Sequence, residues 1–438
     1  MTKYRFTNLY FTALTRMDSA MLFTASVWFA FSGLFLTRKK RENIFNSHHR
    51  LTFEKLFSRY TGAESVIAVP SARSGIYAAL KALKIGAGDE VLVTGFTCSA
   101  VSEPIQFLKA KPVYVDISLE SYTMLPELAE KSITPRTKVI IVQHTYGISA
   151  AIEQFVKIAQ EHNLFVIEDC ALALGSKVND QWLGTFGDVG IFSFELSKTL
   201  SVGWGGVVQI NNNQVLARRV RDIRDKGGVL DRVIGLRRLY QAGLSGFFYR
   251  PEFFLLSGKF VALLFKFKLF RPSETKSDDG NVPSDYLAAP VDFQWKVLLR
   301  QLNRIDEVLN DQSKNIVSFQ KILKHHKCEK EIFNHLDGKI YMRFPLLVKD
   351  RERFIKDFYT KGIEVGKWFS QPVSCGGGDM SKYEYITGSC KNSEFAARHI
   401  VNLPLHSRMS NNDVALVMSC LDEYLMDYPD EVKFIKEN

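Results

Sequence analysis

The stretch IEDCALALGS (residues 167–176), followed by GDVGIFSFELSKTLSVGWGG (187–206), brings the adjacent acids Glu168 and Asp169, a lysine and a glycine turn together in quick succession. Apolar residues lead into Glu168 and Asp169, so both acids end a predicted strand. In open α/β sheets, ligands bind where strands end at their carboxyl side, which marks Asp169 as a candidate. A second apolar run ends near Phe194 and is followed by a Ser/Thr/Gly-rich turn that carries Lys198. A lone lysine is ordinarily a surface residue, and its neighbours give this one its interest.

Working outward, short β-branched runs at 90–94, 112–116, 139–143, 164–168, 190–194 and 206–210 alternate with helical periodicity, as at 74–83 and 151–162. This alternation predicts a doubly wound α/β domain with a mostly parallel sheet flanked by helices. Between 229 and 285 it breaks, and residues 246–270 (GFFYRPEFFLLSGKFVALLFKFKLF) mix Phe and Leu with Lys259, Lys266 and Lys268. Such a segment suits an inserted helical hairpin packed on the body or on a second subunit, or a helix lying on a membrane surface. Beyond 285, helical patterns at 293–309, 315–324 and 411–424 and a strand-like 339–347 predict a smaller α+β domain. The expected division is an N-terminal segment 1–50, a large domain 51–285 and a small domain 286–438.

A chain of 438 residues, 46% hydrophobic, can bury more than one core. Its net charge of +10 favours anionic partners such as phosphates, nucleotides or acidic lipid, without choosing among them. The cysteines are scattered, with neither CxxC pairs nor a Cys/His cluster, so no metal or disulfide framework is expected and a reducing cytoplasm fits. Residues 20–36 (AMLFTASVWFAFSGLFL) carry no charge and precede the basic Arg38, Lys39, Lys40 and Arg41. Two readings stand open there. One is a spanning helix with its basic flank on the cytoplasmic side; the other is a buried or interface helix.

Pyridoxal 5'-phosphate needs a lysine for its Schiff base, a carboxylate for its pyridine nitrogen and a cup for its phosphate. Lys198 and Asp169 supply the first two. SARSGI (71–76) follows an apolar run and opens a helix, where backbone N–H groups and the helix dipole attract an anion. Arg73, Ser74 and Ser193 add side-chain donors. Other candidates are weaker. His144 reads as a histidine satisfied at a strand end, His325 and His326 as a solvated face, and CGGGDM (375–380) as a flexible loop.

These segments, with FEKLFSRYTG (53–62), GAGDEVLVTGFTCSAV (86–101), KPVYVDIS (111–118), HTYG (144–147) and NLPLHSRMS (402–410), resemble the DegT/DnrJ/EryC1/StrS aminotransferases. The resemblance implies a fold-type-I, pyridoxal-phosphate-dependent transferase. It implies that Lys198 carries the cofactor and Asp169 partners its pyridinium. Ser193, Ala72 and Arg73 match phosphate ligands. The family's ring-covering aromatic corresponds to Cys98, leaving Cys98 or Phe96 in that place. Leu172 stands where a hydrogen-bonding residue usually faces the cofactor, and Trp204 where Glu is frequent. The cross-subunit Asn-x-Arg segment has no clear counterpart before FQWKVLLRQL (293–302).

The implied reaction moves an amino group from glutamate to a keto-sugar, nucleotide-linked, for amino-sugar, surface-polysaccharide or lipopolysaccharide synthesis. The implied protein is a cytoplasmic homodimer with no nucleic-acid partner, attached to the cytoplasmic face of a membrane if 20–36 or 246–270 binds lipid. A sugar dehydratase is the nearest rival, but dehydrating relatives typically carry histidine where Lys198 stands. A non-catalytic, membrane-associated relative is the other.

Overall fold

A computed structural model describes residues 16–35, 48–228, 230–248, 281–328, 342–374 and 378–432. Most of the apolar-basic segment 246–270, the basic cluster 38–41 and Cys375 lie outside them.

Seven strands form the central sheet: β1 (Ser65–Val69), β2 (Glu90–Thr94), β3 (Lys111–Val115), β4 (Thr137–Gln143), β5 (Phe165–Asp169), β6 (Val189–Ser193) and β7 (Gly206–Ile210). Their spatial order is β1-β7-β6-β5-β4-β2-β3. β7 runs antiparallel to both its neighbours, and the remaining pairs are parallel. The fold is the predicted α/β class. β1, whose apolar run the sequence shows only as the lead into SARSGI, is a full member of the sheet.

Strand side chains alternate between two cores, which is why these near-continuous apolar runs are buried on both faces. Ile67, Val69, Val91, Val93, Ile141 and Ile191 pack on one side with the helices Ala72–Ala82, Ser99–Phe107 and Gln214–Asp225. Val66, Ala68, Leu92, Val142 and Phe192 pack on the other, with Phe53 and Phe57 of the helix His48–Thr61 and Trp295 of Asp292–Leu302. The predicted helix 293–309 is two helices: one ends at Leu302, and Ile305–His325 starts after Asn303 and Arg304.

A third core joins β8 (Phe344–Leu347) and its antiparallel partner β9 (Ile400–Leu403) to the helices Arg351–Thr360, Lys391–His399 and Asn411–Asp427. Phe96, Tyr122 and Tyr146 reach into this core from the loops after β2, β3 and β4. They fix the C-terminal elements over the edge where β4, β5 and β6 end.

The N-terminal helix Arg16–Phe35 lies along Arg232–Phe248. A Cβ on Gly243 would sit 2.9 Å from the Phe23 backbone nitrogen, so glycine permits the close approach. Asp18, 1% exposed, pairs with Arg300 at 3.1 Å. Among the described residues, no helix is long and apolar enough to cross a membrane.

Candidate active site

Neighbouring residues of a strand point to opposite faces, and at the end of β5 this separates the two acids. Glu168 turns into the core, where its Oε1 accepts from the backbone N–H groups of Phe186 and Gly187, both at 2.8 Å. Its Oε2 accepts from Gly184 N at 2.8 Å and lies 3.2 Å from His144 Nε2. His144 Nδ1 accepts from Ala150 N at 3.2 Å, so the proton resides on Nε2 and points at Glu168. His144 is thereby a satisfied structural histidine, and its partner is a residue the sequence reading passed over.

Asp169 faces the other way. Its Oδ1 accepts from Ala171 N at 3.0 Å, and its side chain accepts no other hydrogen bond among the described residues. Burial pushes its pKa above the ordinary carboxylate value, opposed by that N–H and by the charge of Lys198.

Lys198 follows β6 in a turn built by Glu195, whose carbonyl accepts from Lys198 N at 3.0 Å and whose Oε2 accepts from Ser197 N at 3.1 Å. Its Nζ lies 5.4 Å from the centre of the Trp368 ring. Burial lowers its pKa from that of an ordinary lysine. The Glu195 carboxylate opposes the shift, Arg343 adds to it, and Asp169 and Cys98 oppose it. The free amine, the nucleophilic form, is therefore present at a lower pH than for a surface lysine.

The helix Ala72–Ala82 starts beside this group. Ser71 caps it: its Oγ accepts from Ser74 N at 3.2 Å, while Ser74 Oγ accepts from Ser71 N at 3.0 Å. Ser74 is thus spent on the cap, and Arg73 turns to Glu103 at 3.7 Å. What this helix start offers an anion is mainly its first-turn backbone N–H groups. A Cβ on Gly206 would fall 2.8 Å from Ala72 N and 2.6 Å from Phe192 O, so Gly206 lets the helix start reach the sheet edge. Ser193 pairs with Gly206 across β6 and β7, placing its hydroxyl at the same edge.

Lys198, Asp169, Ser193, Ala72 and Arg73 therefore all lie at the carboxyl-end edge of β1, β5 and β6. Cys98 starts the helix Ser99–Phe107 without capping it and lies within electrostatic reach of Lys198. Phe96 does not join this group. It is fully buried against Tyr122, Tyr146 and Phe369. The aromatic ring that does stand beside Lys198 is Trp368, missed in the sequence together with Arg343, whose Cζ lies 4.5 Å from the same ring's centre. Arg343 had a signal: it sits in the middle of the run 339–347 predicted as a strand, where a buried charge needs a purpose.

The residues fit pyridoxal phosphate on three counts. A buried carboxylate keeps one oxygen without a hydrogen bond, a lysine amine has a depressed pKa, and a helix N-terminus is brought close by a glycine that tolerates no side chain. Relatives point the same way. The chain is 28% identical over 382 residues to GDP-perosamine synthase of Caulobacter vibrioides, covering 85% of this chain and 89% of that protein. A DegT DnrJ EryC1 StrS aminotransferase from Brucella abortus superposes with a TM-score of 0.69 at 21% identity, over 93% of this chain and 96% of that one. An E. coli GDP-4-keto-6-deoxy-D-mannose-3-dehydratase with bound hydrated PLP shares the fold, with a TM-score of 0.65 at 17% identity over 85% and 91% of the two chains. The family model of the DegT/DnrJ/EryC1/StrS aminotransferases matches residues 38–247 and 291–422. The chain belongs to that family and is an aminotransferase of the pyridoxal-phosphate-dependent class.

Proposed function

We propose that the protein transfers an amino group from glutamate to a nucleotide-linked keto-sugar, producing an amino-sugar for surface polysaccharide. The observation that carries this reading is the facing of Lys198, its pKa lowered by burial, with a buried Asp169 carboxylate beside a helix start suited to phosphate. Lys198 would hold pyridoxal phosphate, with Asp169 at its ring nitrogen and Ser193 and the backbone of Ala72 and Arg73 at its phosphate. When bound, the cofactor supplies an electron-withdrawing ring and a carbonyl carbon that receives the amino group.

The chain's own residues do the rest. Lys198 Nζ takes the proton from the α-carbon of the donor and later delivers one to the sugar carbon that gains nitrogen. Asp169, kept ionised by the positive charge it meets, holds a proton on the ring nitrogen. The C-terminal elements that cover the strand ends keep water from the amine.

Lys198 also weighs against the dehydratase reading, since dehydrating relatives typically carry histidine there. Leu172 and Cys98 depart from the family pattern and favour, as the second reading, a non-catalytic relative. One experiment separates them. Purified protein is mixed with glutamate and a panel of nucleotide-linked keto-sugars, and followed by visible absorbance and mass spectrometry. A glutamate-dependent spectral shift with amino-sugar formation, both lost in Lys198→Ala, supports transamination. Full turnover by Lys198→Ala overturns it, and wild-type protein without any shift supports the non-catalytic relative.

The same reading includes two domains, 51–285 and 286–438, and a homodimer at the cytoplasmic face. High-salt washing against detergent extraction of a membrane fraction tests the lipid contact.

A further inference from the structure

The C-terminal part of the fold carries a cluster that the transaminase reading does not use. A ring nitrogen of His325, a ring nitrogen of His326 and a carboxylate oxygen of Asp422 all lie within 4.8 Å of one another. We propose that these three side chains bind a divalent transition-metal ion of the zinc class, which clips the helix Ile305–His325 to the C-terminal helix Asn411–Asp427.

Local geometry brings the two imidazoles together. Neighbouring residues of a helix point about 100° apart, so adjacent histidines ordinarily diverge. Here the helix stops at His325, and a Schellman turn fixes the chain beyond it: Cys328 N donates to Leu323 O at 2.9 Å and Lys327 N to Lys324 O at 3.0 Å. Lys327 takes the left-handed conformation that this turn needs, with φ 53°. Leu323 and Cys328, both buried, anchor the turn in the core. The two rings are thereby held with their centres 5.2 Å apart. His326 turns against the C-terminal helix, its side chain 13% exposed and its Nε2 2.6 Å from Asp422 Oδ1. His325 is exposed, which leaves an ion a path in and a position for water.

The donors decide the class of ion. Zinc takes imidazole nitrogen and carboxylate oxygen at about 2.0–2.2 Å, so tetrahedral ligand atoms stand about 3.3 Å apart, and shifts of roughly 1–2 Å at the side-chain ends close the site. Imidazole suits zinc, nickel or copper, whereas magnesium and calcium take oxygen ligands. Asp422 brings a negative charge, and the site stands at the negative end of the helix Ile305–His325. A second grouping, His144 with Glu168 and Cys170, differs on this point: it is buried, and three backbone N–H groups already take the Glu168 carboxylate. The spacing of histidines along the chain could not show the site, because Asp422 comes 96 residues after His326. From Gln312, which lines the cavity at the Lys198 turn, the helix rises about 20 Å to His325, so the ion serves the fold and not the chemistry at Lys198.

The test uses full-length protein without a histidine tag, stripped with EDTA and titrated with zinc chloride by calorimetry. One equivalent should bind at micromolar concentration and raise the melting temperature, since an ion that binds only the folded chain stabilises it. His325→Gln removes an exposed ligand and leaves the His326–Asp422 contact in place. Asp422→Asn keeps the shape of that contact and removes its charge. Each variant should weaken zinc tenfold or more and lose the rise in melting temperature at the same zinc concentration. Millimolar magnesium should not compete. Absence of zinc binding in the wild type, undiminished binding in either variant, or displacement of zinc by magnesium overturns the proposal.

Discussion

At the scale of single residues, Asp169 and Glu168 are chain neighbours with opposite fates, and charge alone could not tell them apart. The folded pKa of Asp169 is raised, so the folded state binds its proton more tightly than the unfolded chain does. Stability therefore falls as pH rises from the unfolded pKa through the folded one, and ionised Asp169 is a cost at neutral pH. Asp169→Asn in cofactor-free protein should melt at the same or a higher temperature than wild type while turnover falls about a hundredfold, the scale of one lost preorganised charge contact. A clearly lower melting temperature would show that the carboxylate serves the fold. Lys198 gives a second prediction. Glu195 is the largest charge holding its pKa up, and Arg343 the largest pushing it down. In cofactor-free protein, the pH midpoint for acylation of Lys198, read by mass spectrometry, should move down in Glu195→Gln and up in Arg343→Gln; the reverse order would refute the electrostatic account. Lys198, Asp169 and Ser193 were legible because each lies at or just past a strand end within one continuous stretch. Trp368 and Arg343 were not, because they come from distant elements and meet Lys198 only when the third core folds over the sheet edge.

At the scale of elements, strand periodicity located six of the seven sheet strands within about two residues at each end. β1, buried at every residue like β2 and β7, was read only as the apolar lead into the SARSGI helix start. The break after Leu302 was hidden for a different reason: Leu302, Ile305 and Leu309 all turn inward on both sides of it, so the apolar spacing runs on. The loop between β5 and β6 shows what holds an element in place without any periodic signal. Glu168, fully buried, ties together Gly184, Phe186, Gly187 and His144, and so fixes the end of β5 on which Asp169 stands. Glu168→Ala leaves three backbone N–H groups and a histidine without an acceptor. It should cost about 3–5 kcal/mol in denaturant unfolding. A loss under about 1 kcal/mol would mean that water replaces the carboxylate.

At the scale of the whole molecule, the apolar N-terminal segment is where sequence left two readings open, since its composition suits lipid and protein interior alike. The ion pair of buried Asp18 with Arg300 ties the start of the helix Arg16–Phe35 to the body. Leu22, fully buried, joins the same core as Phe53 and Trp295. These contacts make the first turns of the helix part of the folded body, whatever its later residues touch. The weak point of the docking is Gly243, because any side chain there meets the backbone of Phe23 at about van der Waals overlap. Gly243→Leu should therefore prise the helix from Arg232–Phe248, exposing the peptide bond after Arg16 to trypsin at a rate well above wild type. Turnover should change less than threefold, because Lys198, Asp169, Ser193, Ala72 and Arg73 all stand on elements other than these two helices. The sign of the membrane effect follows from the same geometry. A helix released from the body uncovers Leu22 and its apolar neighbours, so the variant should partition more strongly into a detergent-extractable fraction than wild type does. Equal trypsin sensitivity in the two proteins would show that the helix is not docked in solution, and would return the segment to the lipid reading.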